Sequence, residues 1–198
     1  MRKPLHSKKI STDVPLEKQS AKSFRIWQSI ARFMQRILKG NAIQPHFSYR
    51  HILFSFIGGF FGIAVLAYLT NSSGYTLIAA PFGATTVLIF GVPDSPLGQP
   101  RNVVGGNFIS GLISVILVHF FGAEPWVMAL AVATALMLMQ LTKTTHPPGG
   151  AVALLGVVSH ASWSFALTPI LLGSVLIVLC TVIFNNLVPG RSYPRHWI

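Results

Sequence analysis

Residues 144–190 read TTHPPGGAVALLGVVSHASWSFALTPILLGSVLIVLCTVIFNNLVPG, a run of 47 positions without a charged side chain. Only 10% of the chain is charged and 52% is apolar, whereas about a quarter of an ordinary soluble domain is charged. A membrane-spanning helix needs roughly 20 mainly apolar residues, so this run offers room for two spans. The stretch therefore indicates a helical protein of the lipid bilayer.

Three further uncharged runs precede it, at 51–93, 102–123 and 125–142. By length, the first offers room for two spans and the other two for one each. We therefore predict an all-α, polytopic transmembrane helical bundle of about six membrane elements. Four are long spans and two are short helices broken by proline and glycine, placed near residues 51–69, 76–90, 103–121, 126–141, 148–158 and 165–187.

The formal charge of +11 is concentrated ahead of these runs, because residues 1–50 hold 11 of the 15 Lys and Arg side chains. Residues 1–22 are polar and basic, which predicts a disordered tail. Over 23–45 the apolar residues recur at helical spacing with basic residues between them. This pattern predicts an amphipathic helix on a bilayer surface, with anionic headgroups rather than nucleic acid as its partners. An arm that packs on a partner subunit and a cleavable targeting segment are the alternatives.

Loop charges predict the orientation of the bundle, since cytoplasmic loops are enriched in Lys and Arg. The membrane domain is predicted at 46–190, followed by a cytoplasmic tail at 191–198. Six crossings leave Glu124 on one side and place four cations on the side of the basic arm, namely Arg101, Lys143, Arg191 and Arg195. Both termini are then cytoplasmic, whereas four spans with two re-entrant segments would move Arg101 and Lys143 outside.

The two short elements begin with similar interruptions, PFGAT at 81–85 and PPGGA at 147–151. With three elements in each half, the second half is predicted to be an inverted repeat of the first. A helix that begins inside the bilayer presents unpaired amides with partial positive charge, which suits an anion. Ordinary first turns near the interface are the alternative. We predict a substrate pathway along both breaks: Pro81, Gly83, Ala84, Thr85, Thr86, Thr145, His146, Pro147, Pro148, Gly149 and Gly150.

Hydroxyl and amide groups at these breaks can replace the water around a small anion. His146 either titrates and couples transport to protons, or stays neutral and bonded to a nearby carbonyl. In the loop before the third span, Asp94 and Arg101 are expected to form a local ion pair. A gate or vestibule is the alternative for this loop, which also carries Gln99 and Asn102. Two amides within spans are expected to bond between helices or line the pathway: Asn107 and Asn185.

The motif THPPGGA at 145–151 resembles the HPP family of membrane proteins, named for its His-Pro-Pro motif. Further stretches similar to that family extend the resemblance over about residues 50–188: APFGAT at 80–85, PDSPLGQPRN at 93–102 and NNL at 185–187. The resemblance implies four transmembrane helices, the number usually given for the family. It also implies nitrite transport, which is associated with members from plastids and photosynthetic bacteria. The implied location is a bacterial inner (plasma) membrane or a plastid envelope.

Other functional classes have less support. An intramembrane enzyme normally needs carboxylates, a nucleophile with its base, or a metal cluster, and no carboxylate lies within a predicted span. Cys180 is the single cysteine and the seven histidines lack ligand spacing, so neither a metal nor a cofactor is expected. We predict a transporter or channel for a small anion, and no enzyme. An accessory or scaffold subunit is the alternative, and the glycines at 58, 59 and 62 favour close helix contacts, including a homo-oligomer.

Overall fold

The computed structural model describes Arg25, residues 27–35 and residues 46–197. The chain divides into two compact units, Met1–His46 and Phe47–Ile198. In the first unit, residues 27–35 are helical with exposed side chains, and the predicted location of this helix on a bilayer surface stays a prediction. The rest of the predicted helix over 23–45, apart from Arg25, and the predicted disordered tail at 1–22 lie outside the described residues.

The second unit is built from six helical elements, and no strand occurs in the described residues. Their positions agree with the six predicted elements. In chain order they are α1 (Tyr49–Ser73), α2 (Pro81–Gly91), α3 (Pro100–Phe121), α4 (Pro125–Leu141), α5 (Pro147–Val158) and α6 (Trp163–Leu187). A short 3-10 turn, Pro96–Gly98, precedes α3.

Within the described part of the chain, three helices are long and apolar enough to cross a membrane, namely α1, α3 and α6. The predicted fourth long span lies where expected, but α4 has only 17 residues. At 1.5 Å per residue α4 is about 25 Å long, shorter than the roughly 30 Å hydrocarbon core. The bundle thus has three long and three shorter helices, rather than four and two.

Prolines explain where most of the helices begin and where one of them bends. A proline occupies the first turn of α2, α3, α4 and α5, where its missing N–H breaks no helical bond. In α6, however, Pro169 lies inside the helix and Thr168 has the non-helical angles φ −131° and ψ 118°. The last span, predicted as continuous, is therefore bent near its start.

The glycine face of α1 receives aromatic rings from the same chain. A Cβ added at Gly58 or Gly62 would lie 2.5 or 2.8 Å from the ring of Phe90 at the end of α2. Phe90 in turn meets the ring of Phe184 on α6, at a centroid distance of 5.8 Å. The close helix contact predicted for these glycines is thus made within the bundle.

Contacts between loops show how the chain passes back and forth through the bundle. His51 at the start of α1 bonds to the carbonyl of Gly91 at the end of α2, at 2.8 Å. Asn102 near the start of α3 donates to the carbonyl of Thr145 before α5. The loops 92–99 and 142–146 and the segment 188–197 therefore gather at one end, as six successive passes require. Loops 74–80 and 159–162 line a common cavity at the other end.

Candidate functional site

The two interrupted helices meet at a buried contact between Thr85 and His146. Both side chains are fully buried, and the hydroxyl oxygen of Thr85 lies 2.9 Å from Nε2 of His146. Nδ1 of the same ring lies 2.9 Å from the carbonyl oxygen of Leu97. A carbonyl can only accept, so Nδ1 carries the proton, and Nε2 of a neutral ring accepts from the threonine hydroxyl. This arrangement fits a neutral histidine that holds the turn.

Close packing of α3 against the start of α5 positions His146. The ring belongs to the N-cap residue of α5, which has the extended conformation favoured before a proline. A Cβ added at Gly106 of α3 would lie 2.7 Å from both the Cβ of His146 and the carbonyl oxygen of Thr144. One added at Gly149 would lie 2.8 Å from the hydroxyl of Ser110. Only glycine at these two positions lets the backbones approach so closely.

The predicted pathway residues divide into a buried and an open group. Pro81, Thr85, Thr86, His146, Pro148 and Gly149 are buried, whereas Gly83, Ala84 and Pro147 are exposed and Thr145 and Gly150 are half-buried. A Cβ added at Gly83 or Gly150 would meet nothing within 4 Å. No described part of the protein therefore packs against either glycine.

An apolar cavity lies between α2 and α5, and we name it the seam cavity; of the exposed pathway residues, Ala84 lines it. Its volume is about 400 Å³, and it is lined by Ala80, Pro81 and Ala84 of the first break and by Ala151, Leu154, Leu155 and Val158 of α5. The start of α2 therefore lies beside the second half of α5. The first turn of α5, in contrast, is not among the residues that line this cavity.

A second cavity of about 380 Å³ lies beside His146, and we name it the vestibule. Its walls come from the loop before α3 and the start of that helix, from the α4–α5 loop and from the C-terminal segment: Pro96, Leu97, Gln99, Arg101, Asn102, Lys143, Thr145, His196 and Trp197. Three of the four residues predicted for a gate or loop thus line one cavity together with Thr145.

The predicted ion pair between Asp94 and Arg101 is wrong. The carboxylate of Asp94 instead contacts the guanidinium of Arg195, in the C-terminal segment. Arg101 donates to the carbonyl of Thr142 at 2.9 Å. The sequence could not distinguish these partners, because Asp94 and Arg195 come together only when the C-terminal segment folds back onto the loop.

The two amides within spans bond between helices, as expected. Asn107 of α3 donates to the hydroxyl of Ser174 on α6 at 3.1 Å, and both residues are fully buried. Asn185 of α6 donates to the carbonyl of Ile89 near the end of α2 at 3.3 Å. Each amide therefore joins elements from different parts of the chain.

Comparison with known proteins places this architecture in a family. The family model described as "HPP, transmembrane region" matches residues 44–194. The chain belongs to the HPP transmembrane family. Two Dictyostelium discoideum proteins named only as transmembrane proteins are 38% and 39% identical to it over 155 residues, or 72% of this chain. Those alignments cover 54% and 50% of the relatives, so the chain spans about half their length. No solved structure matches it.

Membership of the HPP family makes this chain an integral membrane protein with transmembrane helices. The THPPGGA motif forms the end of the loop and the first turn of α5. Its histidine is the buried His146 described above. In this HPP domain the His-Pro-Pro motif thus joins α5 to both α2 and the loop before α3.

Sequence reasoning missed the contacts of a half-buried cation at the end of the HPP domain. Arg191 donates to four acceptors at the ends of α1, α2 and α6: the carbonyls of His51 and Phe90, the hydroxyl of Ser55 and the amide oxygen of Asn185. Burial lowers the pKa of Arg191 from its ordinary value, although an arginine remains charged. The only sequence signal was its position just after the last span.

A third cavity, which we name the far cavity, lies at the opposite end of the HPP domain. Its volume is about 600 Å³, and loops 74–80 and 159–162 and the bend in α6 line it. Hydroxyl groups of Thr76, Ser159, Ser162, Ser164 and Thr168 are among its lining residues. Ala80 and Leu155 border both this cavity and the seam cavity, so the two adjoin.

Proposed function

We propose that this HPP protein transports a small anion across the membrane, and that nitrite is its substrate. The observation that carries the proposal is the buried contact between Thr85 and His146, which joins two short helices broken at similar motifs. Short, interrupted helices in corresponding halves of a membrane protein are a recurrent feature of transport sites. Nitrite follows from the resemblance to family members associated with its transport.

The three cavities outline a path along the contact between α2 and α5. The vestibule reaches Leu97, whose carbonyl oxygen is bonded to His146, and Thr145, which precedes His146 in the chain. Thr85, the partner of His146, directly follows Ala84 in the wall of the seam cavity. The seam cavity adjoins the far cavity through Ala80 and Leu155. In this pathway the Thr85–His146 pair separates the vestibule from the seam cavity.

We also propose that the six elements form an inverted repeat of three plus three, an arrangement that suits transport by two related halves. An offset of 67 positions relates Pro81 to Pro148, Gly83 to Gly150, Ala84 to Ala151 and Gly106 to Gly173. The contacts follow the same relation. Gly106 of α3 packs on the segment leading into α5, and Gly173 of α6 packs on Leu77 and Phe82 where the chain leads into α2. The residues after these glycines, Asn107 and Ser174, bond to each other.

We further propose that the vestibule end faces the cytoplasm, with both termini on that side. This orientation gives the cytoplasmic end Arg101, Lys143, Arg191 and Arg195, in accord with the enrichment of cations in cytoplasmic loops. A bacterial plasma membrane or a plastid envelope is the proposed location, and anionic headgroups are the proposed partners of the basic segment before the membrane domain. Transport in this scheme needs no enzymatic step.

Reconstituted flux tests the proposal. The purified full-length chain is placed in sealed liposomes, and trapped nitrite is measured over time at neutral pH, where little of it is the permeable acid. We expect uptake of labelled nitrite that depends on the protein. An excess of unlabelled nitrite should slow this uptake more than the same excess of chloride. Nitrite entry at the rate of protein-free liposomes, with the protein shown to be folded and inserted, would exclude transport and leave the accessory or scaffold function.

A further inference from the structure

The vestibule brings together two cationic side chains, Arg101 and Lys143, and the imidazole of His196, from three separate segments of the chain. Arg101 comes from the first turn of α3, Lys143 from the loop after α4 and His196 from the C-terminal segment. Among the described residues, no carboxylate lines this cavity. Asp94, which lies in the adjacent loop, is engaged by Arg195. The electrostatic potential within the vestibule is therefore positive, which favours an anion.

The neutral residues around these cations are already bonded within the protein. Both hydrogens of the Gln99 amide are directed at backbone carbonyls, and its oxygen accepts from the backbone amides of Arg195 and His196. Asn102 holds the carbonyl of Thr145. Arg101, in contrast, donates one hydrogen bond, from Nη2 to the carbonyl of Thr142, and the other N–H groups of its guanidinium remain available. Arg101 thus supplies an oriented guanidinium with donors to spare.

Lys143 has a backbone conformation that disfavours lysine. Its φ is 57°, in the left-handed region that usually holds glycine or asparagine after a helix. Local backbone preference therefore does not explain a lysine here. An unfavourable backbone conformation beside a cavity is a recognised indication of a functional side chain.

The C-terminal segment forms one wall of the vestibule because three contacts hold it in place. Tyr193 is buried and donates to the carbonyl of Gly98 at 2.8 Å, and burial raises the pKa of this phenol, so it stays a neutral donor. The amide oxygen of Gln99 accepts hydrogen bonds from the backbone N–H groups of Arg195 and His196. The ion pair of Arg195 with Asp94 is the third contact. His196 and Trp197 are thereby brought to the cavity.

We propose that the vestibule is a binding site for small planar oxyanions, with Arg101 and Lys143 as its ligands and the C-terminal segment as its wall. The proposal rests on the proposed transport of an anion, which would bind here first on its way along the pathway. Two coplanar oxygens match the parallel N–H groups of a guanidinium, whereas a spherical halide does not. Nitrite and formate should therefore bind more tightly than chloride.

Binding can be measured without transport, on the full-length chain in detergent. Chloride is replaced stepwise by nitrite or formate at constant ionic strength, and the rise in thermal unfolding temperature is followed. Arg101→Gln keeps a donor for Thr142, and Lys143→Asn suits the left-handed backbone, so both should fold. Each should weaken the apparent affinity for nitrite by about tenfold, the effect of losing one charge-assisted hydrogen bond. Arg50→Gln, which removes an exposed charge over the ring of Phe54, is the matched control.

The outcomes separate the site from the transport function. An equal loss of affinity in Arg50→Gln, or an equal response to chloride, would overturn the site. If Arg101→Gln does not fold, Lys143→Asn alone decides.

In liposomes the vestibule variants should raise the nitrite concentration for half-maximal flux more than they lower the maximal rate. Binding without flux would reject transport and keep the site; flux with an unchanged concentration dependence would reject the site and keep transport.

Discussion

The Thr85–His146 pair shows how one hydroxyl can satisfy a buried imidazole. If His146 were protonated, both ring nitrogens would donate, and the Thr85 hydroxyl would have to turn and find another acceptor in the interior. The neighbouring Thr86 is also buried, yet its hydroxyl oxygen has no hydrogen-bond partner among the described residues. Two adjacent threonines of equal size thus differ in whether their hydroxyl has a partner.

Replacement of each threonine by valine should therefore have different effects on stability. Thr85→Val leaves Nε2 of His146 without a donor, which should lower the free energy of unfolding by about 1–2 kcal/mol. Thr86→Val removes a buried hydroxyl that has no partner and should be neutral or stabilising. Thermal unfolding in detergent measures both. Equal losses of stability in the two variants would show that the Thr85–His146 bond adds nothing.

At the scale of the element, the sequence predicted the positions of the helices but not their ends or bends. Uncharged runs locate a span because a charge inside the bilayer is costly, so α1, α3 and α6 were found. The bend at Thr168–Pro169 was missed, since Pro169 lies within an otherwise uniform apolar run. The Thr85–His146 contact could not be derived, because it depends on how α2 and α5 pack.

The end of α2 depends on a side chain that follows α6. The last turns of α2 have π geometry, and Arg191 and His51 bond to the carbonyls of Phe90 and Gly91 there. We expect Arg191→Met to lower the free energy of unfolding by about 2–4 kcal/mol, because buried acceptors lose a charged donor. Arg195→Gln breaks only a half-exposed ion pair and should cost less than about 1 kcal/mol. Similar losses for both arginines in an unfolding titration would contradict this role.

The paired breaks give a test of the pathway itself. Gly83 and Gly150 have room for a side chain within the protein, so Gly83→Val and Gly150→Val should fold. Each adds a branched side chain at a break that borders the proposed path, and each should reduce nitrite flux in liposomes by at least about tenfold if solute passes there. Gly91→Val is the control, because its added Cβ also meets nothing. Normal flux in both break variants would place the path elsewhere.

At the scale of the whole molecule, the two halves of the proposed inverted repeat have related contacts but different shapes. The α3 helix runs unbroken from Pro100 to Phe121, while its counterpart α6 is bent at Pro169. The cavities differ as well, since the vestibule carries cations and the far cavity carries hydroxyls. A carrier with inverted halves could exchange these shapes and so open each end in turn. That mechanism requires the two cavities to face opposite sides of the membrane.

Cysteine labelling tests this requirement in sealed vesicles. The buried Cys180 is first replaced by alanine, and single cysteines are then introduced by Ser73→Cys, Ser162→Cys and Ser95→Cys. Ser73 and Ser162 lie at the end with the far cavity, whereas Ser95 lies in the loop that carries part of the vestibule wall. An impermeant maleimide added from outside should therefore label Ser73→Cys and Ser162→Cys but spare Ser95→Cys until the membrane is opened with detergent. Labelling of all three from outside would mean that α2 returns to the side from which it entered. The chain would then have four spans and two re-entrant segments, and alternating access through its two ends would be excluded.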